Sequence, residues 1–209
     1  MDARHHPLTV SLIGAVLIVA VSMIGGCSVF SGVGGASTPV FVSGQTGDRL
    51  SIDYPDGVYQ ESDNNTADLY FSTIEGVGEP GVPMSGVSGS VLHVHMFLEP
   101  RAGKTPIDFT AANITVTHIL VAEGAIGVYG GAGFMLPSGD AGASTFGGRL
   151  REVTLRPTAL TDGFSDKLGW NELGGTLQAQ RDPQRASRIA AWVDAVLADR
   201  RLVATADSN

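Results

Sequence analysis

Cysteine occurs once in this 209-residue chain, at Cys27, and lysine only twice, at Lys104 and Lys167. A lone cysteine excludes an internal disulfide, so the folded part must draw its stability from its core. Basic residues are outnumbered, 13 to 21, which leaves a net charge of −8. That balance argues against a nucleic-acid partner and against electrostatic adhesion to anionic lipid headgroups. Catalytic signatures are also missing. There is no G-x-S-x-G elbow, neither lysine has a serine three residues ahead of it, and the glycine-dense stretch 124–133 holds no G-x-G-x-x-G register. No repeat with a period of 20–50 residues is present, which sets aside solenoids and propellers.

Long apolar runs are equally scarce, with one exception. Leu8 to Ile24 (LTVSLIGAVLIVAVSMI) carries no charge and follows a short segment containing Arg4, His5 and His6. Gly25-Gly26 closes the run and no basic cluster follows, the pattern of a removable signal rather than a transmembrane anchor. The cysteine comes next, in Ile24-Gly25-Gly26-Cys27. This arrangement resembles the lipobox of bacterial lipoproteins: an aliphatic residue three before the cysteine, small residues just ahead of it, and a signal segment upstream. The resemblance covers residues 1–27 and concerns processing, not fold. It implies that 1–26 is cleaved, that Cys27 becomes the N-terminus with a diacylglycerol on its sulfur, and that the lipid holds the protein on a membrane of the bacterial envelope. Ser28 rather than an aspartate follows the cysteine, which in many diderm lineages implies delivery to the outer membrane. Cleavage removes one acid and one base, so the mature charge stays at −8.

Residues 27–38 are rich in glycine and serine and read as a flexible tether. Residues 39–204 are then one domain of about 165 residues, enough for a proper core, and 205–209 a disordered tail. With 28 glycines and 10 prolines, the expectation is a turn-rich β protein. Strand patterns recur at 40–42, 50–54, 58–59, 67–72, 90–99, 114–122, 126–136, 150–155 and 176–180, with loops at 76–89 and 161–173. In 90–99, Leu92, Val94, Met96 and Leu98 share one face while Val91, His93, His95 and Phe97 share the other. Segment 114–122 is apolar on both faces, as a central strand should be. One helix is expected, 183–201, with Asp182 as N-cap, Pro183 at its first position and an apolar stripe of Ile189, Trp192, Val193, Val196 and Leu197. Arg200 and Arg201 would complement its C-terminal dipole. The predicted fold class is mainly β: an antiparallel β-sandwich, with a β-barrel as runner-up, and one C-terminal helix.

The chemistry-bearing candidates are few. His93 and His95, two apart on a strand, project side by side and could share a metal such as zinc, with His118, Glu99 or an acidic loop as third ligand. Against this, His118 shares parity with Ile114, Val116 and Leu120, a core-facing pattern. The acids Asp48, Asp53, Asp56, Glu61, Asp63 and Asp68 fit no EF-hand spacing and read as solvated turns. Tyr54, Tyr59, Tyr70, Tyr129 and Trp170 could form a sugar platform if exposed. The expectation is therefore a lipid-anchored envelope protein with a non-catalytic binding or structural domain, no cofactor, and an envelope protein or glycan as partner. The alternative is a metal-dependent or carbohydrate-active envelope enzyme using His93 and His95.

Overall fold

Alternation in the central strands explains the architecture. A computed structural model of the chain describes residues 37–63, 66–79, 87–97, 112–199 and 201–205, all within one compact unit. Among the described residues, ten strands run in the order β1 (Val40–Ser43), β2 (Arg49–Ser51), β3 (Gly57–Asp63), β4 (Thr66–Ser72), β5 (Gly89–Phe97), β6 (Ile114–Ala122), β7 (Ala125–Ser138), β8 (Thr145–Leu160), β9 (Asn171–Arg181) and β10 (Val203–Ala204). The one helix among them, α1 (Pro183–Leu197), lies between the last two strands. The strands form one sheet of order β10-β8-β7-β6-β5-β4-β3-β9-β1-β2, in which β8 also pairs with β9.

That second pairing folds the sheet back on itself, so its inner face surrounds one core. Phe41 (β1), Tyr59 (β3), Leu69 and Phe71 (β4), Leu92, Val94 and Met96 (β5), Ile114 and Val116 (β6), Leu150 and Leu155 (β8), and Leu177 (β9) meet there. The mainly β class with one C-terminal helix is as expected. The sheet is mixed and is not closed into a barrel: β3 meets β9 through only two register pairs, Val58 with Gln180 and Tyr59 with Arg181, and these run parallel. This one parallel junction corrects the all-antiparallel expectation. It arises because β3 to β9 are seven strands paired antiparallel in succession, so the first and the last run in the same direction.

Long strands bend through bulges. Register shifts fall between Val128 and Tyr129 and between Ala132 and Phe134 in the β7–β8 ladder, and between Leu150 and Val153 against β9. Glu152 sits in this last bulge with φ of 51°. Glycine allows the backbones to close up. A Cβ on Gly131 would lie 1.9 Å from the Thr154 carbonyl oxygen, and one on Gly147 would lie 2.0 Å from that of Leu177. The β6–β7 hairpin turns on Glu123 and Gly124, both at positive φ (51° and 85°), as two-residue hairpin loops require.

The helix covers part of the outer face. Ala186, Ile189, Val193 and Val196 pack on Val58, Tyr70, Val91, Ile119, Val121, Ile126 and Val128. Asp182 caps its start by accepting from the Arg185 amide at 2.9 Å. The helix ends at Leu197, four residues earlier than expected, with Ala198 as C-cap and no basic residue in its last turn. Leu197 is exposed and so leaves the expected apolar stripe. Cys27, the segment 1–26, most of the tether, Glu99, Lys104 and Arg200 lie outside the described residues.

Candidate functional site

Strand pairing assembles the main polar cluster on the uncovered part of the outer face. The β4–β5 register sets Asp68 opposite His95 and Tyr70 opposite His93. Because side chains alternate, all four project outward together. Asp68 Oδ1 lies 2.8 Å from His93 Nε2 and 2.8 Å from His95 Nδ1. The Ser62 hydroxyl, from the bulged end of β3, donates to Asp68 Oδ2. Asp68 is buried, while the histidine side chains keep 22% and 28% of their exposure, enough for solvent to reach the rings.

The aspartate is the hub. Burial alone would raise its pKa, but the hydrogen bonds from His93, Ser62 and His95 outweigh burial and hold the carboxyl well below the usual range. An ionised carboxylate only accepts, so the ring nitrogens facing it carry hydrogens: Nε2 on His93 and Nδ1 on His95. When the rings are neutral, His93 Nδ1 and His95 Nε2 are left as lone-pair acceptors. Ring contacts fix both imidazoles. His93 stacks on Tyr70 at 4.4 Å and 7°, and His95 meets the exposed Phe97 edge-on at 4.8 Å.

His118 lies on the other side of the same strands. It pairs with Leu92 and Tyr129 in register and is fully buried. Its Nε2 is 2.8 Å from Ser90 Oγ, which is 2.5 Å from the Tyr54 hydroxyl. Phe41 stacks on its ring at 4.2 Å. Burial pushes its pKa down to about 3, so the ring is neutral at neutral pH. Its Nδ1 has no hydrogen-bond partner among the described residues.

The three histidines therefore do not converge. Two face outward and one faces the core, which corrects the His93, His95, His118 metal set. Among the described residues, no three or more histidine, cysteine, aspartate or glutamate side chains are placed to hold a metal ion. The acids disperse likewise: Asp48 accepts from Thr46, Asp53 from Thr38, and Glu61 pairs with Arg181 at 3.1 Å. The sugar platform also dissolves, because Tyr54, Tyr59, Tyr70 and Tyr129 are all buried. Trp170 is 40% exposed, with its ring lying against Gly44.

Sequence reasoning missed Asp68 and Ser62 as members of the histidine cluster. The available signal was Asp68 and Tyr70 sharing parity between the apolar Ala67, Leu69 and Phe71; what it lacked was the strand partner. Among the described residues, no helix is long and apolar enough to cross a membrane. Comparisons with protein-family models, with curated proteins and with solved structures find no match for this chain.

Proposed function

We propose that this chain is a lipid-anchored bacterial envelope protein whose β domain binds rather than catalyses. The anchor rests on the Ile24-Gly25-Gly26-Cys27 motif behind its apolar segment. Cleavage before Cys27 and two or three acyl chains on it would give stable attachment, at about 0.8 kcal/mol per buried methylene. Ser28 favours the outer membrane in a diderm host. The non-catalytic reading is carried by one observation: Ser62 and both exposed imidazoles all bond the same carboxylate, Asp68, rather than each other. Nucleophilic catalysis needs the hydroxyl against the base. The one direct serine–histidine pair among the described residues, Ser90 with His118, is buried in the core.

Two measurements test this reading. Radiolabelled palmitate should enter the wild-type chain and not Cys27→Ala; an unlabelled wild type would overturn the anchor. Metal analysis of the purified protein should give no stoichiometric zinc. Zinc retained by the wild type and lost in a His93→Ala/His95→Ala double variant would overturn the non-catalytic, cofactor-free reading in favour of a metal-dependent enzyme.

A further inference from the structure

We propose a binding cleft for a long-chain carboxylate at the open end of the curled sheet, between the β1–β2 hairpin and loop 161–170. The cleft has a volume of about 440 Å³, and its apolar lining is Leu50, Leu120, Tyr129, Phe164 and Leu168. All five pack onto or belong to the core cluster, so the floor of the cleft is the edge of the core itself. Volumes of this size, with apolar walls and a few placed polar groups, are typical of small-molecule sites.

The loop wall is fixed in place. Thr161 Oγ1 accepts from the Ile126 amide at 2.7 Å. Phe164 lies over Gly127, where a Cβ would come within 2.4 Å of its ring. The Tyr129 hydroxyl donates to Asp166 Oδ1 at 2.6 Å, and the same oxygen accepts from the amides of Leu168 and Gly169. Asp166 is thereby occupied within the loop. The cleft is preorganised, which lowers the entropic cost of binding.

Charge selects the ligand. The rim carries Arg49, Lys167 and Asp48. Asp48 accepts from the Thr46 hydroxyl at 2.7 Å. Among the described residues neither Arg49 nor Lys167 has an ion-pair partner; Arg149, Arg151 and Arg156 have none either, but only Arg49 and Lys167 stand on the rim of this apolar cleft. In a chain of net charge −8, two uncommitted cations over an apolar floor fit an amphiphile with one anionic head and an aliphatic body. The cations hold the carboxylate and the leucines take the chain.

This ligand class deepens the binding role proposed above and rests on it, but it is read separately from the anchor. The test uses the full chain bearing Cys27→Ala in phosphatidylcholine vesicles, with a diazirine-bearing palmitate as photoprobe and peptide mapping of the label. Saturable label is expected in residues 48–50, 120–129 and 164–168, competed by palmitate and not by hexadecanol. An Arg49→Ala/Lys167→Ala variant should lose label by about tenfold or more at sub-saturating probe, in line with the loss of charge-assisted bonds. Its thermal melt should be unchanged. Label confined to residues 8–24, label competed equally by hexadecanol, or undiminished label in the double variant would overturn the proposal. A zinc-loaded protein with a labelled cleft defeats only the non-catalytic reading; a zinc-free protein with an unlabelled cleft defeats only the ligand.

Discussion

Strands β5 and β6 carry histidines on both of their faces, and the two faces treat the same side chain in opposite ways. Outside, His93 and His95 retain solvent contact and are held by an ionised carboxylate. Inside, His118 is sealed between Phe41, Tyr129 and Ser90, where no charge among the described residues compensates it and burial pushes its pKa down to about 3. One residue of parity separates the two settings. The difference shows that a histidine-rich strand pair is a functional candidate only on the face where a charged partner and solvent are both present.

The largest expected effect lies inside. His118→Ala removes a buried ring and leaves Ser90 and Tyr54 without their chain, so stability should fall by about 3 kcal/mol or more in chemical denaturation. The outer counterpart, His95→Ala, should cost about 1 kcal/mol or less, because its ring is partly solvated. Equal losses at the two positions would break the comparison.

Acid should separate the faces next. The His118 pKa is lower in the fold than in the unfolded chain, so the unfolded state binds the extra proton as pH falls below about 6.5. Its contribution to stability is present above that pH and is lost toward pH 3, at about 1.4 kcal/mol per pH unit at most. Denaturation midpoints measured from pH 7 to pH 4 should decline in the wild type, and the decline should be shallower in His118→Gln. Asp68 acts in a lower window. Its folded pKa is also depressed, so its contribution is present above about pH 4 and is lost as pH falls further.

Asp68→Asn keeps the shape but removes the charge and one acceptor oxygen. It should cost about 1–3 kcal/mol and release the orientation of both outer rings, seen as exchange broadening of their side-chain signals. Unchanged histidine signals in this variant would mean that Tyr70 and Phe97 alone hold the rings. The smallest effect is remote from both faces. Glu123 has positive φ in the β6–β7 turn, so Glu123→Asn should stabilise by about 0.5 kcal/mol, read as a small rise in melting temperature. It provides a control that moves stability without touching either histidine setting.

Much of this comparison was legible in the sequence because it depends on alternation. The parity of Leu92, Val94 and Met96 against His93 and His95 placed the outer pair, and Ile114-Val116-His118 placed the inner one. Asp182-Pro183 located the helix start for a different reason, since capping is local. What alternation cannot supply is the neighbour across the ladder. Asp68 lies 25 residues before His93, and only the β4–β5 register joins them. Strand β8 extends beyond the expected 150–155 at both ends, through Gly147-Gly148 and Pro157, residues that sequence patterns treat as breakers; its bulge at Glu152 also inverts parity, with Phe146 and Leu150 facing the core on even numbers and Val153 and Leu155 on odd ones. Within the expected strand 126–136, what the sequence cannot show is why Gly131 and Gly133 are glycine: the neighbouring backbone of β8 comes too close for a side chain.

The most direct measurement is a side-chain ¹⁵N–¹H histidine spectrum recorded between pH 5 and 9. At the alkaline end His93 should carry its proton on Nε2 and His95 on Nδ1, opposite tautomers set by one carboxylate, while His118 stays neutral throughout. A charged His118 within this range, or both outer rings sharing one tautomer with free exchange, would contradict the account.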